Sequence, residues 1–262
     1  MKRRVHLIDP GFPGRPALDT AFSRALLDLV AAGEAPETFR LYRPDDVVAF
    51  SAIDAASDGF DRAVSAARAA GFDTALRLAG GRAAVFHRET LAFAWSVPAP
   101  EARDGIRTRF DEIAGIVADA LGRLGVDARV GEVAGEYCPG EHSVNARGAK
   151  KLMGVGQRVI RGAAHVGGVI VVAGADRVRA ALEPVYAAMD FAWDPDTTGS
   201  VADEVGAVGL AEVAAALEAE LHARFDVARG GVPIERAIER AAPLEARFAA
   251  TGARDRAGAS CR

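Results

Sequence analysis

The fold class predicted by this 262-residue sequence is α+β: a mixed, largely antiparallel sheet flanked by helices. Two observations lead there. Apolar residues recur with two periods, about 3.6 residues in some stretches and about 2 in others, the signatures of amphipathic helix and half-buried strand. Several strand-like stretches are also joined by connections too short for a crossover helix, and tight connections imply antiparallel pairing. Half of the residues are hydrophobic, enough for a full core in one large domain or two small ones. No internal repeat or long linker divides the chain, so residues 1–250 are read as one domain and the small, polar stretch 251–262 as a disordered tail.

Phe22, Leu26 and Leu29 fit one face of a first helix. Residues 38–42 (TFRLY) and 47–50 (VVAF) read as short strands on either side of the turn-forming run Arg43-Pro44-Asp45-Asp46. A second helix carries Phe60, Val64 and Ala67 and ends near Gly71. Strand-like stretches follow at 74–78, 83–86 and 91–97, the first two linked through Gly80-Gly81. Ile106, Phe110, Ile113, Val117, Leu121 and Leu124, spaced three and four apart, give the clearest amphipathic helix, one expected to pack on the sheet. Residues 128–133 and 165–172 again look like strands, and Leu152, Val155 and Val159 carry Lys151 into a half-buried one. Val178, Leu182 and Val185, then Leu210, Val213, Leu217 and Leu221, mark two later helices.

Composition excludes several partners. A formal net charge of −4 argues against a broad nucleic-acid surface, and no apolar run is long enough for a membrane span. Met1-Lys2-Arg3-Arg4 imitates a signal peptide, but Asp9, Pro10 and Gly11 interrupt the apolar stretch that must follow, so a cytoplasmic location is expected. Thiols stay reduced there, and two cysteines are too few for a thiolate zinc site; no metal is expected. The five histidines, at 6, 87, 142, 165 and 222, form no metal-ligand spacing. Phosphate-loop, zinc-helix and nucleophile-elbow motifs are absent, and Gly154-Val155-Gly156 lacks the third glycine of a dinucleotide fingerprint.

What remains is one thiol and a set of glycines. The stretch GEYCPGEHSVNARGAKKLMGVGQRV, residues 135–159, holds Cys138 and two of the chain's three lysines. A lone intracellular cysteine usually behaves as a small buried hydrophobe. Here Pro139 removes a ladder donor and Gly140 permits a tight turn, which places the thiol on a loop, where reactive groups are commonly held. A nearby ammonium favours the thiolate, and Lys151 is the candidate, with Lys150 the solvated neighbour. Gly80-Gly81 fits a hairpin turn, or a backbone left bare so that a ligand can lie against it. Gly154-Val155-Gly156 and Gly167-Gly168 repeat the device, which suits a narrow channel for an extended apolar ligand.

These residues carry a resemblance. Gly80-Gly81-x-Ala83, Lys151-x-x-Gly154 and His165-x-Gly167 are similar to the pattern of the biotin/lipoate protein ligase family, which includes the lipoate-protein ligases A and B. YCPG followed by KKLMGVGQRVIRG most resembles its cysteine-dependent octanoyl or lipoyl amidotransferases. The resemblance covers roughly residues 38–172 and implies a single catalytic domain with the family's fold, the acyl chain lying between the glycine turn and the lysine strand. By matched positions it makes Cys138 the acyl-accepting nucleophile and Lys151 the residue that contacts the acyl carbonyl and activates the thiol. It assigns Arg77, Gly80, Gly81, Ala83, Gly154, Gly156, His165 and Gly167 to substrate binding. Leu78 stands where ATP-consuming ligases have a second arginine, and Arg82 interrupts their run of glycines.

The activity so implied is transfer of an octanoyl or lipoyl group through a Cys138 thioester to a lysine of a lipoyl-accepting domain, in glycine cleavage H protein or an E2 subunit. No cofactor is required in this reading, because the thioester conserves the energy. Two alternatives stay open: an ATP-dependent lipoate-protein ligase, and a non-catalytic module that binds the acyl or lipoyl group.

Overall fold

The computed structural model describes residues 2–101 and 104–251, so Cys261 and all but the first residue of the expected tail lie outside the described residues. The basic start of the chain leads into strand β1 (Arg4–Ile8), which buries Val5, Leu7 and Ile8. Helix α1 (Pro16–Ala31) opens on a proline, tolerated there because the first-turn N–H groups have no intrahelical acceptor. Its Phe22, Leu26 and Leu29 point fully inward, as their spacing predicts. Strands β2 (Thr38–Tyr42) and β3 (Val47–Phe50) fall where the apolar runs place them. Next come α2 (Ala52–Ala55), closed by a Ser51/Asp54 capping box, and then α3 (Phe60–Ala69) and β4 (Asp73–Leu76). Short β5 (Ala84–Phe86) and long β6 (Thr90–Ala99) precede α4 (Ile106–Arg123). Strands β7 (Ala128–Val130) and β8 (Val144–Ala146) flank a long loop, and β9 (Lys150–Ile160) and β10 (Gly162–Val171) form a hairpin. Helices α5 (Ala175–Ala188), α6 (Val201–Val205) and α7 (Leu210–Arg224), strand β11 (Asp226–Arg229), and helices α8 (Ile234–Ala241) and α9 (Glu245–Phe248) complete the order.

The strands form two sheets. The larger runs β11-β1-β2-β6-β10-β9-β8-β7, parallel at its first two pairings and antiparallel from β2 onward. The smaller is β4-β3-β5, with β4 parallel and β5 antiparallel to β3. Mixed and largely antiparallel is therefore the observed class. One local expectation is corrected: Gly80-Gly81 is not a hairpin turn, because β3 lies between β4 and β5. Since β4 runs parallel to β3, the chain has to cross the end of β3 to return as β5, and residues 77–83 make that crossing. Likewise, the turn at 43–46 does not pair its flanking strands; it carries the chain from one sheet to the other.

Both faces of the large sheet are covered. On one, Ile113, Val117 and Leu121 of α4 and Val213, Leu217 and Leu221 of α7 pack against Phe39, Trp95 and Ile170. The small sheet has its own core beneath α3 and α5, and α1 forms a third with α8. Strand β6 is accordingly buried throughout save Pro98, as a strand covered on both faces has to be. It alternates large with small: Leu91, Phe93, Trp95 and Val97 contribute to the helix-side core, and Ala92, Ala94 and Ser96 occupy the opposite positions. In register, Ala94 pairs with Gly167, and Gly167 with Gly156. A row almost free of side chains thus crosses the middle of the sheet.

Gly168, one residue beyond this row, sets a packing limit that can be measured. A Cβ at Gly168 would lie 2.3 Å from the Gly154 carbonyl oxygen and 2.5 Å from the Phe93 ring. Backbone cannot yield as a flexible side chain does, so Gly168→Ala is expected to lower the unfolding free energy by about 1–3 kcal/mol, read from urea denaturation.

Candidate active site

Cys138 sits in the loop between β7 and β8, on a backbone with φ of 44°. That left-handed conformation disfavours a non-glycine residue by roughly 1–2 kcal/mol, so the surroundings have to hold it. Three sets of contacts do. The Cys138 N–H donates to the Tyr186 hydroxyl at 3.0 Å, and that hydroxyl donates in turn to the Ala83 carbonyl at 3.1 Å. The Cys138 carbonyl accepts from the Lys151 ammonium at 2.8 Å. The sulfur accepts from the Arg82 backbone N–H at 3.2 Å and from Arg77 Nη2 at 3.4 Å. Helix α5 and the β4–β5 crossing thus converge on the cysteine loop.

Lys151, near the start of β9, is 1% exposed and paired with Glu136, whose side chain is 0% exposed. Its ammonium has three donors, and all are taken: Glu136 Oε1 at 3.0 Å, the Tyr137 carbonyl at 2.9 Å and the Cys138 carbonyl at 2.8 Å. Glu136 also accepts from Ser143 Oγ at 2.6 Å and from the backbone N–H groups of Gly140 and Val133, each at 3.1 Å. One buried carboxylate therefore gathers residues 133–143 into a single conformation around the thiol. Lys150 is half-buried and reaches the Asp196 carbonyl instead.

Burial alone would push the Cys138 thiol up. The Arg77 guanidinium, then the Lys151 ammonium, the Arg82 amide and the hydrogen bond from Arg77 outweigh it and hold the thiol below its ordinary value. The cationic side chain in contact with the sulfur is Arg77, for which Gly81 leaves room. At φ of 93°, Gly81 leaves open the space where a Cβ would stand 2.5 Å from Arg77 Nη2 and 2.7 Å from the sulfur.

Two spaces meet at Cys138. One is a narrow cavity of about 90 Å³ between the two sheets and α1, walled by Val47, Ala49, Ala75, Phe86, Phe93 and Ala94. Arg77, Cys138, Lys151, Gly154, His165 and Gly167 all line it. The other is an open cleft of about 510 Å³ that includes Gly80, Gly81, Gly156, Phe110, His142 and again Cys138. The channel expected from the glycines is thus divided, with the thiol where its parts join. Ala83 lines neither space; it is fully buried, and its carbonyl is the acceptor for Tyr186. Deep in the narrow cavity, burial and then the Arg40 guanidinium lower the His165 imidazole to about 4, so that it is neutral at pH 7. Glu136 and Tyr186 went unmarked in the sequence. Tyr186 lies 48 residues from Cys138 and has no local signal, whereas Glu136 differs from a solvated loop carboxylate only by standing beside the YCPG turn.

An apolar slot between two sheets thus ends at a thiol in cationic surroundings. Residues 15–238 match the family described as the lipoyl protein ligase A/B catalytic domain, and the chain belongs to that family. Similar curated proteins are octanoyl-[GcvH]:protein N-octanoyltransferases. That of Geobacillus kaustophilus is 29% identical over 162 residues, 62% of this chain and 57% of the relative. That of Anoxybacillus flavithermus is 28% identical over 173 residues, 66% of this chain and 61% of the relative. The matched region thus spans less than two thirds of either. The fold is shared with a Thermoplasma acidophilum protein solved with bound lipoic acid, at a TM-score of 0.74 and 22% identity over 94% of this chain and 96% of that one. It is shared equally with a lipoate-protein ligase A solved with ATP, at 0.73 and 21% over 96% and 97%.

The two adjacent lysines separate cleanly in a stability measurement. Lys151→Met leaves Glu136 charged and buried without its counter-ion, and is expected to remove about 3–5 kcal/mol of unfolding free energy in denaturant titrations. Lys150→Met, which loses one contact to an exposed carbonyl, is expected to change it by well under about 1 kcal/mol.

Proposed function

We propose that this chain is an acyltransferase of lipoyl metabolism, moving an octanoyl group from one lipoyl-type protein domain to a lysine of another through a thioester on Cys138. The observation that carries the reading is the position of the thiol where the narrow apolar cavity meets the open cleft. The acyl chain takes the cavity, and the protein-borne amine approaches by the cleft. The named activity of the relatives, octanoyl-[GcvH]:protein N-octanoyltransferase, supports an octanoylated H protein as donor and a second protein as acceptor, and the E2 lipoyl domain named with a Thermoplasma acidophilum ligase of the same fold supports that class of acceptor.

The thiolate of Cys138 attacks the amide carbonyl, forming a C–S bond as the carbonyl electron pair moves to oxygen. Collapse of that oxyanion breaks the C–N bond, and the departing lysine amine takes a proton from solvent. The acceptor lysine, as the free amine, then attacks the thioester, and loss of one proton to solvent accompanies C–N bond formation, C–S bond cleavage and return of the thiolate. Protons and charge balance over the two halves, and neither half needs a nucleotide. Burying the six carbons by which octanoyl exceeds acetyl, at about 0.8 kcal/mol each, contributes roughly 5 kcal/mol in favour of octanoyl before ordering costs.

One observation favours a second reading: the fold is shared with a ligase that binds ATP. Nucleotide activation and thioester exchange differ in what they release. With an octanoylated donor domain and an acceptor domain, the purified protein is expected to transfer the acyl group without ATP, and Cys138→Ser to reduce that rate at least about a thousandfold. Pyrophosphate release from free octanoate and ATP, retained in Cys138→Ser, would establish the ligase reading instead.

A further inference from the structure

We infer that Arg77 is a catalytic residue whose guanidinium is the counter-ion of the Cys138 thiolate and then the donor to the oxyanion, with Lys151 and Glu136 as positioning residues that hold the loop. The assignment rests on the proposed acyl transfer and goes beyond it by separating the two cations beside the sulfur. Arginine at this position was expected only to contact substrate, and Lys151 to activate the thiol.

The argument begins with how each cation is neutralised. Lys151 is matched by Glu136 at 3.0 Å, and its remaining donors are used on two backbone carbonyls. It has no proton free for a substrate oxygen, and the paired carboxylate offsets much of its field. Arg77 differs. Among the described residues no carboxylate lies within 4.0 Å of its guanidinium, and its Nη2 points at the Cys138 sulfur, 3.4 Å away. The other charged or titratable groups around the thiol are Arg82, which faces Asp54 at 3.7 Å, Tyr186, held by Ala83 and the Cys138 amide, and the buried Tyr137, whose ring lies 4.7 Å from the Lys151 ammonium. A half-buried guanidinium without a carboxylate calls for an anion, and the sulfur is the group in contact with it.

A second observation concerns the next step. Arg77 Nε is buried and has no hydrogen-bond partner, on a side chain that lines the acyl cavity. An unused N–H at that point is costly unless something arrives to accept from it. When sulfur attacks, negative charge leaves it for the carbonyl oxygen a bond length or two away, and the fork of one guanidinium can follow that movement without the arginine moving. A lysine, with its charge at a single point, cannot serve both positions.

In a Cys261→Ser background Cys138 is the only thiol, and its pKa is read from the pH dependence of iodoacetamide alkylation, which needs no acyl substrate. This readout is therefore independent of whether the proposed transfer is correct. Arg77→Gln is expected to raise the alkylation midpoint by at least about one unit, a tenfold loss of thiolate near pH 7. Arg77→Lys is expected to keep the midpoint within about half a unit of the parent yet to transfer octanoyl at least about tenfold more slowly, because charge is retained and the fork is lost. An unchanged midpoint in Arg77→Gln overturns the counter-ion role. Transfer at the parental rate in Arg77→Lys overturns the oxyanion role.

Discussion

The arrangement around the thiol depends on one buried ion pair, Glu136 with Lys151. Neither side chain is solvated, so each is tolerable only because the other is present and every remaining donor and acceptor is used. That requirement fixes the loop. Gly140, Ser143 and Val133 are drawn to the carboxylate, the Tyr137 and Cys138 carbonyls are drawn to the ammonium, and the cysteine backbone is left in a conformation it would not choose. A mobile loop would present the sulfur in many directions. This one presents it in one.

The same economy shapes the cavity. A sheet covered on both faces normally fills its interior with branched side chains, yet here Ala94, Gly167 and Gly156 stand side by side across three strands. The bulk is moved to the opposite face, where Leu91 and Trp95 pack beneath the helices, so stability and vacancy are drawn from alternate residues of the same strand. Loop 77–83 then closes over the row: Ala79 lies so near Gly156 that a Cβ there would come within 2.7 Å of it. Cavity, guanidinium and thiol are therefore parts of one packing arrangement.

Much of this was legible in the sequence, and the rest was hidden for identifiable reasons. The period of α4 and the apolar runs of β2 and β3 are local signals, and the elements fall on them. So did the loop position of Cys138 and the burial of Lys151 relative to Lys150. Strand β1 was masked by Lys2, Arg3 and Arg4, which read as a leader-like start, although Val5 and Leu7 alternate as a strand should. The order β4-β3-β5 could not be read, because a parallel neighbour leaves no mark on the residues between two glycine-linked strands. The split between Arg77 and Lys151 was hidden for a similar reason: which cation meets the sulfur depends on where Glu136 folds.

The most direct test of the central claim is made on the parent protein incubated with an octanoyl donor and no acceptor, followed by peptide mass mapping. A single octanoyl group on the peptide containing Cys138, released by neutral hydroxylamine as a thioester is, is the expected result. Full transfer activity with no such adduct, or an adduct that resists hydroxylamine, would contradict the account.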